Sequence, residues 1–408
     1  MFTEVQIENY KSIQNLKIGL GRVNVFIGEN GCGKSNILEA IALAGAAAGN
    51  KLDNEFLAPR GIRVTEPEFM RSAFDKENIT KAIKVNLNIS NDIPLNVEIQ
   101  NDNQTYSSWH VVNEKLVNLF RQLPSSDNFL TDIIPDFEND IAQIAEDIIK
   151  TKLKERNIHV PNNQKIIDSY NNIVKNASLN LSNVINQESL NLRNFLIFAP
   201  ENFALRTFAE EGQVQPLGTK GEGLLKLLRF LSNTSERINE IKQRLELIDW
   251  FDDFKIHQDS DIERTIQIKD RYLDKELPYF NQRSSNEGFL FLMFYFALFV
   301  SDDTPKFFAI DNIENALNPK LCTKLIQELV ELAKKYDKQV IFTTHNPAIL
   351  DGLDLQDDEQ RLFTIYRNIY GHTKAQRIFA PQPLEDEDPV PLSEAFMNGY
   401  IGGLPDNF

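Results

Sequence analysis

The chain has 408 residues, 42% of them hydrophobic, enough apolar side chain for one large core or two moderate ones, which excludes a disordered tail or linker. Its two cysteines, Cys32 and Cys322, form neither a disulfide framework nor a metal-binding spacing and point to a reducing cytoplasm. With 59 acidic against 43 basic residues and a net charge of −16, general attraction to nucleic acid is disfavoured, and any such contact must be weak and local or belong to a partner.

In chain order, Met1-Phe2-Thr3-Glu4 opens a strand pattern, with Val5 and Ile7 in alternation, rather than a signal peptide. The apolar run Val23, Val25, Phe26, Ile27 predicts a short buried strand. It leads directly into Gly28-Glu29-Asn30-Gly31-Cys32-Gly33-Lys34-Ser35, a complete G-x-x-x-x-G-K-S/T phosphate loop. Residues Asn36 to Leu43 then carry good helix formers with apolar positions three and four apart. The glycines let consecutive backbone N–H groups turn inward around an anionic phosphate, and the new helix aims its partial positive end at the same point. Lys34 is expected to reach the β- and γ-phosphates and Ser35 to ligate Mg²⁺. The plain alternative is a Gly-rich turn that binds nothing; Lys-Ser in register between a strand and a helix favours a nucleoside triphosphate site.

Two alternating runs, Ile83-Val85-Leu87-Ile89 and Leu95-Val97-Ile99, flank Asn91-Asp92 and predict an antiparallel hairpin. From 112 to 193 the character changes: Ile141, Ile144, Ala145, Ile148 and Ile149, then Ile166, Tyr170, Ile173, Val174, Ala177, Leu181, Val184 and Ile185, have helical spacing. This predicts a helical insertion that is either a packed subdomain or a partner surface. Strand character returns at Phe195 to Ala199. A long helix is expected to begin at Glu222-Gly223 and run through Ile248. The longest apolar run, Phe289 to Val300, has twelve residues, short of the roughly 18 that span a bilayer, so no membrane partner is expected. Lys306-Phe307-Phe308-Ala309-Ile310-Asp311 is a hydrophobic strand ending in Asp, the arrangement that holds Mg²⁺ opposite a phosphate-loop serine, although an Asp there also caps helices. In Val340-Ile341-Phe342-Thr343-Thr344-His345-Asn346-Pro347, an imidazole one strand later in sequence is placed to sense a γ-phosphate.

Together, Asn9-Tyr10-Lys11-Ser12, Gly28 to Asn36 with Glu39, Asp311 to Pro319, and Thr344-His345-Asn346-Pro347 resemble the ABC-type ATPase heads of the RecF, SMC and OLD (overcoming lysogenization defect) group. More narrowly they are similar to the stand-alone ATPases of anti-phage systems such as Septu and PARIS. The resemblance implies an α/β fold, an ABC-type P-loop head with a mixed or parallel core sheet, an antiparallel subdomain and a helical insertion. It divides the chain into 1–111 and 194–380 as the two halves of the head, 112–193 as the insertion and 381–408 as a tail. It also implies that two heads sandwich ATP and Mg²⁺ in a homodimer or higher homo-oligomer, with Asn30, Gly31, Cys32, Gly33, Lys34, Ser35 and Asn36 on the nucleotide. Ser35 and Asp311 would then hold the metal, and Ser285, Asn286 and Gly288 would form the signature that faces the partner's loop. Read without the family, Ser284 to Gly288 is a helix N-cap.

His345 would be the switch histidine, and Ala316-Leu317-Asn318-Pro319 would cross the dimer interface. Where the family places a glutamate after the Walker B aspartate, this chain has Asn312. An amide accepts no proton, so Glu314 is the nearby candidate base and slow hydrolysis is expected. No glutamine-loop residue is assignable; Glu201 and Asn202 are the candidates. About 60 residues follow His345, too few for the metal-binding Toprim domain of the OLD nucleases, and the acids of Leu384 to Pro389 read as a solvated tail. A separate effector protein, a nuclease, is therefore the expected partner, and the alternative is a RecF-like DNA maintenance ATPase. The apolar segment Leu392 to Pro405 is expected to dock on a neighbouring subunit or on its own chain.

Overall fold

The computed structural model describes residues 1–89, 93–104, 107–112, 187–208, 216–256, 264–277, 279–380 and 390–404. The helical spacing read over 141–185, the Asn91-Asp92 turn and the acidic run 384–389 lie outside them.

The chain starts with two strands, β1 (Phe2–Tyr10) and β2 (Ile13–Gly19), and then β3 (Val23–Ile27), the phosphate loop and helix α1 (Lys34–Ala48). Strands β4 (Ile83–Ile89), β5 (Ile93–Gln100) and β6 (His110–Val111) complete an antiparallel sheet in the order β2-β1-β4-β5-β6. Its register pairs Val85 with Val97 and Leu87 with Leu95, and Ile83, Val85, Leu87 and Ile89 are all buried. That alternation is what one covered face of an antiparallel sheet requires. The covering element is α1, whose residues from Ile37 to Ala48 are all buried.

The second sheet contains β7 (Ile197–Phe198), β11 (Phe307–Ile310), β12 (Gln339–Thr344), β13 (Gln360–Arg367) and β14 (Thr373–Ile378), in the order β14-β13-β3-β12-β11-β7. Strands β13, β3, β12, β11 and β7 run parallel and β14 is antiparallel to β13. Every residue of β3, β11 and β12 is buried, as expected of parallel strands covered on both faces. Strand β12 lies between the loop strand β3 and the Asp311 strand β11, with Thr344 opposite Ile27 and Phe342 opposite Ile310. The carboxyl ends of β3, β12 and β11 thereby share one edge, where open parallel sheets bind ligands. Gln339 joins the two sheets: its amide donates to the Phe2 carbonyl (2.7 Å) and the Gly21 carbonyl (2.8 Å) and accepts from Phe2 N–H (3.0 Å).

On the other face lie helices α2 (Asn202–Thr207), α3 (Leu224–Leu231), α4 (Ser235–Leu245), α5 (Glu287–Val300) and α6 (Pro319–Lys335), with a small antiparallel sheet of β8 (Phe251–Ile256), β9 (Ile266–Asp270) and β10 (Phe280–Asn281). Helix α5 is buried on all sides from Phe289 to Val300, which fits its uninterrupted apolar sequence. Phe299 meets the Phe308 ring edge-on at 5.2 Å, packing this helix onto β11. No helix among the described residues is long and apolar enough to cross a membrane.

Two expectations change. The long helix expected from 222 to 248 is two helices, α3 and α4. Gly223 has φ 80° and starts α3 one residue later, and the Ser232-Asn233-Thr234 link ends it. There Asn233 and Thr234 N–H bond three residues back, and Ser232 Oγ donates to the Arg229 carbonyl at 2.7 Å. Such short polar side chains compete for backbone groups and favour helix ends. Secondly, of the two places open to the segment from Leu392, it takes the one on its own chain. Phe396 of helix α7 (Leu392–Met397) is buried in the core that also holds Leu362 of β13 and Ile349 and Leu350 of the turn after β12.

Candidate nucleotide-binding site

The phosphate loop leaves the end of β3 and closes at the first turn of α1. Its geometry depends on glycine at two places. A Cβ on Gly28 would lie 2.0 Å from the Ile365 carbonyl of β13, and one on Gly33, at φ 108°, would lie 2.1 Å from Thr373 Oγ1. The backbone is thus held tight against β13 and β14 while Asn30 and Gly31 form an exposed tip. Gly28→Ala is expected to push the loop off β13, lowering the melting temperature by several degrees and abolishing nucleotide binding; an unchanged thermal melt would refute this close approach.

Lys34 is buried, and its Nζ donates to the Gly28 carbonyl (2.9 Å) and the Glu29 carbonyl (3.0 Å), folded inside its own loop. Burial pushes its amine down, and the thiol of Cys32 and the carboxylates of Asp311 and Glu314 draw it back up. His345 Nδ1 is 3.4 Å from Lys34 Nζ. Burial and then the Lys34 charge lower the His345 pKa, so near neutral pH the ring is an uncharged partner to the ammonium.

Ser35 Oγ donates to both oxygens of Asp311, at 3.3 and 3.0 Å. Thr343 Oγ1 also donates to Asp311 Oδ1 and accepts from Asn312 N–H at 2.9 Å. A serine hydroxyl facing a carboxylate is a hard oxygen donor set suited to Mg²⁺. Thr343, which the sequence reading passed over, fixes Asp311. Its only sequence signal was its place two residues before His345. Thr343→Val is expected to weaken metal affinity roughly 10- to 100-fold, as outer-shell changes do, checked by titrating Mg²⁺ against nucleotide binding.

Asn312 stands at φ 55°, in the left-handed region that asparagine tolerates. Glu314 Oε1 accepts from the His345 backbone N–H at 2.8 Å, while its Oε2 is buried and has no hydrogen-bond partner. One carboxylate therefore ties the end of β11 to the histidine turn and keeps a free oxygen.

Beside the loop, Asn36 Nδ2 donates to Ser12 Oγ (2.6 Å), Ser12 Oγ meets Thr373 Oγ1 (2.7 Å), and Thr373 Oγ1 donates to the Cys32 carbonyl (2.8 Å). Buried Glu39 accepts from Tyr10 OH (3.1 Å) and pairs with Lys11 and Arg63. These bonds fix the first turn of α1 against β1. They explain in physical terms why Tyr10, Lys11, Ser12 and Glu39 occur with the loop.

Ser285, Asn286 and Gly288 are not brought to this loop. Asn286 caps α5 by accepting from Phe289 N–H at 2.8 Å, Ser285 Oγ is buried without a partner, and a Cβ on Gly288 would lie 2.9 Å from the Ala316 carbonyl. Asn286 and Gly288, but not Ser285, border a separate cleft of about 720 Å³ with Trp250, Asn318, Lys320 and Lys324. Glu201 pairs with Lys220 at 3.0 Å and Asn202 accepts from Arg206 at 2.5 Å, so both candidates for the glutamine loop are engaged locally. Among the described residues no group of three or more His, Cys, Asp or Glu is placed to hold a metal.

The protein family described as "AAA domain, putative AbiEii toxin, Type IV TA system" matches residues 23–351, from the loop strand through the turn after His345. The chain belongs to this family. It is 26% identical over 203 residues to an uncharacterized protein of Methanocaldococcus jannaschii, covering 44% of this chain and 60% of that protein. It is 37% identical over 86 residues to the DNA replication and repair protein RecF of Clostridium perfringens, covering 20% of this chain and 23% of that protein. The chain thus spans less than two thirds of the length of either relative. Among solved structures, the Smc head bound to the C-winged helix domain of ScpA aligns with a TM-score of 0.50 at 14% identity, covering 93% of this chain and 98% of that one. That likeness establishes the fold, an ABC-type P-loop head.

Proposed function

We propose that this ATPase is the ATP-binding, slowly hydrolysing sensor and scaffold subunit of a cytoplasmic anti-phage complex, working as a homodimer or higher homo-oligomer beside a separate nuclease effector. The observation that carries slow turnover is Asn312 directly after Asp311, with the nearest carboxylate, Glu314, already holding the His345 backbone. Lys34 and the loop N–H groups bind the phosphates. Ser35 and Asp311 would hold Mg²⁺, which would supply charge neutralisation for the phosphates. His345, uncharged and against Lys34, reports whether a γ-phosphate has drawn the lysine away from the Gly28 and Glu29 carbonyls. Glu314 offers its free Oε2 to the attacking water. Asn286 and Gly288, on a cleft apart from their own loop, contact the nucleotide of the second copy together with Ser285.

Bound ATP of long lifetime suits a subunit that holds an assembly ready and waits for a trigger. The test is light scattering with and without ATP, together with phosphate release by the purified chain alone and with the product of the adjacent gene. Wild-type chain that stays monomeric with ATP and turns over rapidly would refute the reading. The insertion is assigned to assembly: replacing 112–193 by a short linker is expected to leave a nucleotide-binding head that no longer associates, and an unchanged assembly mass would reject that assignment.

A second reading, ATP-dependent clamping on DNA, is favoured by the 37% identity to RecF over 86 residues. The net charge of −16 weighs against it, and duplex binding that falls steeply with salt would support it.

A further inference from the structure

The turn that follows His345, Pro347–Gly352, is gripped from two sides. Helix α6 holds one: Thr323 Oγ1 donates to the Ala348 carbonyl (2.7 Å), and a Cβ on Gly352 would lie 2.5 Å from the Thr323 carbonyl. The C-terminal segment holds the other. Ser393 donates to Asp351 twice, from its N–H (2.9 Å) and its hydroxyl (2.6 Å), so one carboxylate at the end of the turn is bidentate on the start of α7. Phe396 is 5% exposed, and Leu392 and Ile401 pack against the same core. Beyond them, a Cβ on Gly403 would lie 3.2 Å from the Phe396 ring and 3.3 Å from Thr364 on β13, and Thr364 pairs in register with Ile27, the residue before the phosphate loop.

From this geometry we infer that residues 392–403 are a regulatory strap: a displaceable segment that fixes the His345 turn against the strand flanking the phosphate loop, and so sets how well His345 distinguishes ATP from ADP. The strap is held by one bidentate polar contact and four apolar side chains, Leu392, Ala395, Phe396 and Ile401, while Met397 and Tyr400 are 68% and 73% exposed on its outer side. Segments with so few buried groups open at free energies well below global unfolding. When it lifts, Asp351 loses both of its Ser393 donors, and the turn keeps only its α6 contacts. His345 then retains its backbone tie to Glu314 but loses the fixed path of the residues behind it.

The ATP-against-ADP part rests on the role proposed for His345, and the experiment separates the two. Full-length wild type, Ser393→Ala, Phe396→Asp and His345→Ala are compared by amide hydrogen exchange over 346–352 and by calorimetric affinities for ATP and ADP. Phe396→Asp is expected to speed exchange in the turn by about tenfold or more, and Ser393→Ala by a few fold, with no change in β1 or β4. Both variants should lower the ATP-to-ADP affinity ratio in the same order. Unchanged exchange in the turn of Ser393→Ala, which removes one hydrogen bond and leaves the core intact, overturns the strap even if Phe396→Asp fails to fold. An affinity ratio unaltered in His345→Ala overturns the sensing role, leaving the exchange result to decide the strap alone. A ratio altered in His345→Ala but not in the strap variants overturns the regulatory claim.

Discussion

Lys34→Ala is expected to lower ATP affinity by on the order of 10²- to 10⁴-fold, the loss of two charge-assisted hydrogen bonds to phosphate, while the fold persists. In this structure the ammonium is satisfied by the Gly28 and Glu29 carbonyls, so the loop is organised around it. Alanine leaves those two carbonyls facing a small hole and removes the only ammonium inside the loop. The fold should survive because the loop is also anchored by Thr373 on the Cys32 carbonyl and by the close packing of Gly28 on Ile365. Calorimetry with ATP, paired with a thermal melt, checks both halves. Unchanged affinity would remove the phosphate loop from its assigned role, and a collapsed melt would show that the lysine is a structural plug.

The second large effect is on turnover. Wild-type phosphate release should fall well below the roughly 1 to 10³ s⁻¹ common among enzymes, because Asn312 occupies the position of the usual base. Asn312→Glu is expected to raise the rate, general-base help being worth on the order of 10²- to 10⁴-fold. It also carries a cost of about 1 to 2 kcal/mol, since residue 312 has a left-handed φ of 55°, which asparagine accepts and glutamate does not. A faster and less stable variant is therefore the expected pair of results. Glu314→Gln keeps an acceptor for the His345 N–H and converts the free oxygen into an amide, so it tests base function without cutting the tie. Loss of the residual rate would assign Glu314 as base. Retention in Glu314→Gln together with loss in Glu314→Ala would make it a positioning residue. Rapid turnover surviving both changes would place the base elsewhere.

The sequence by itself determined the parts whose geometry is local. Gly28 to Ser35 form a contiguous loop between one strand and the next helix, and Asn286 caps α5 within three residues. The buried strands β3, β11 and β12 were legible as apolar runs, and the Ile83–Ile99 hairpin as an alternation. The break between α3 and α4 was missed because Leu224 to Ile248 keeps its apolar spacing through the break, and only Ser232-Asn233-Thr234 betrays the interruption.

Tertiary structure alone decided the assembly of these parts. Parallel strands read as similar apolar runs, so no local pattern says that β12 inserts between β3 and β11; that insertion puts His345 Nδ1 against Lys34 and Thr343 against Asp311. The same holds for Glu314 bonding the His345 backbone across 31 residues of chain and for Ser393 reaching Asp351 across 42. It also holds for the separation of Asn286 and Gly288 from the phosphate loop of their own chain. Contacts of this kind depend on which surfaces bury one another once the whole core closes, and a short window of residue types carries no record of that choice.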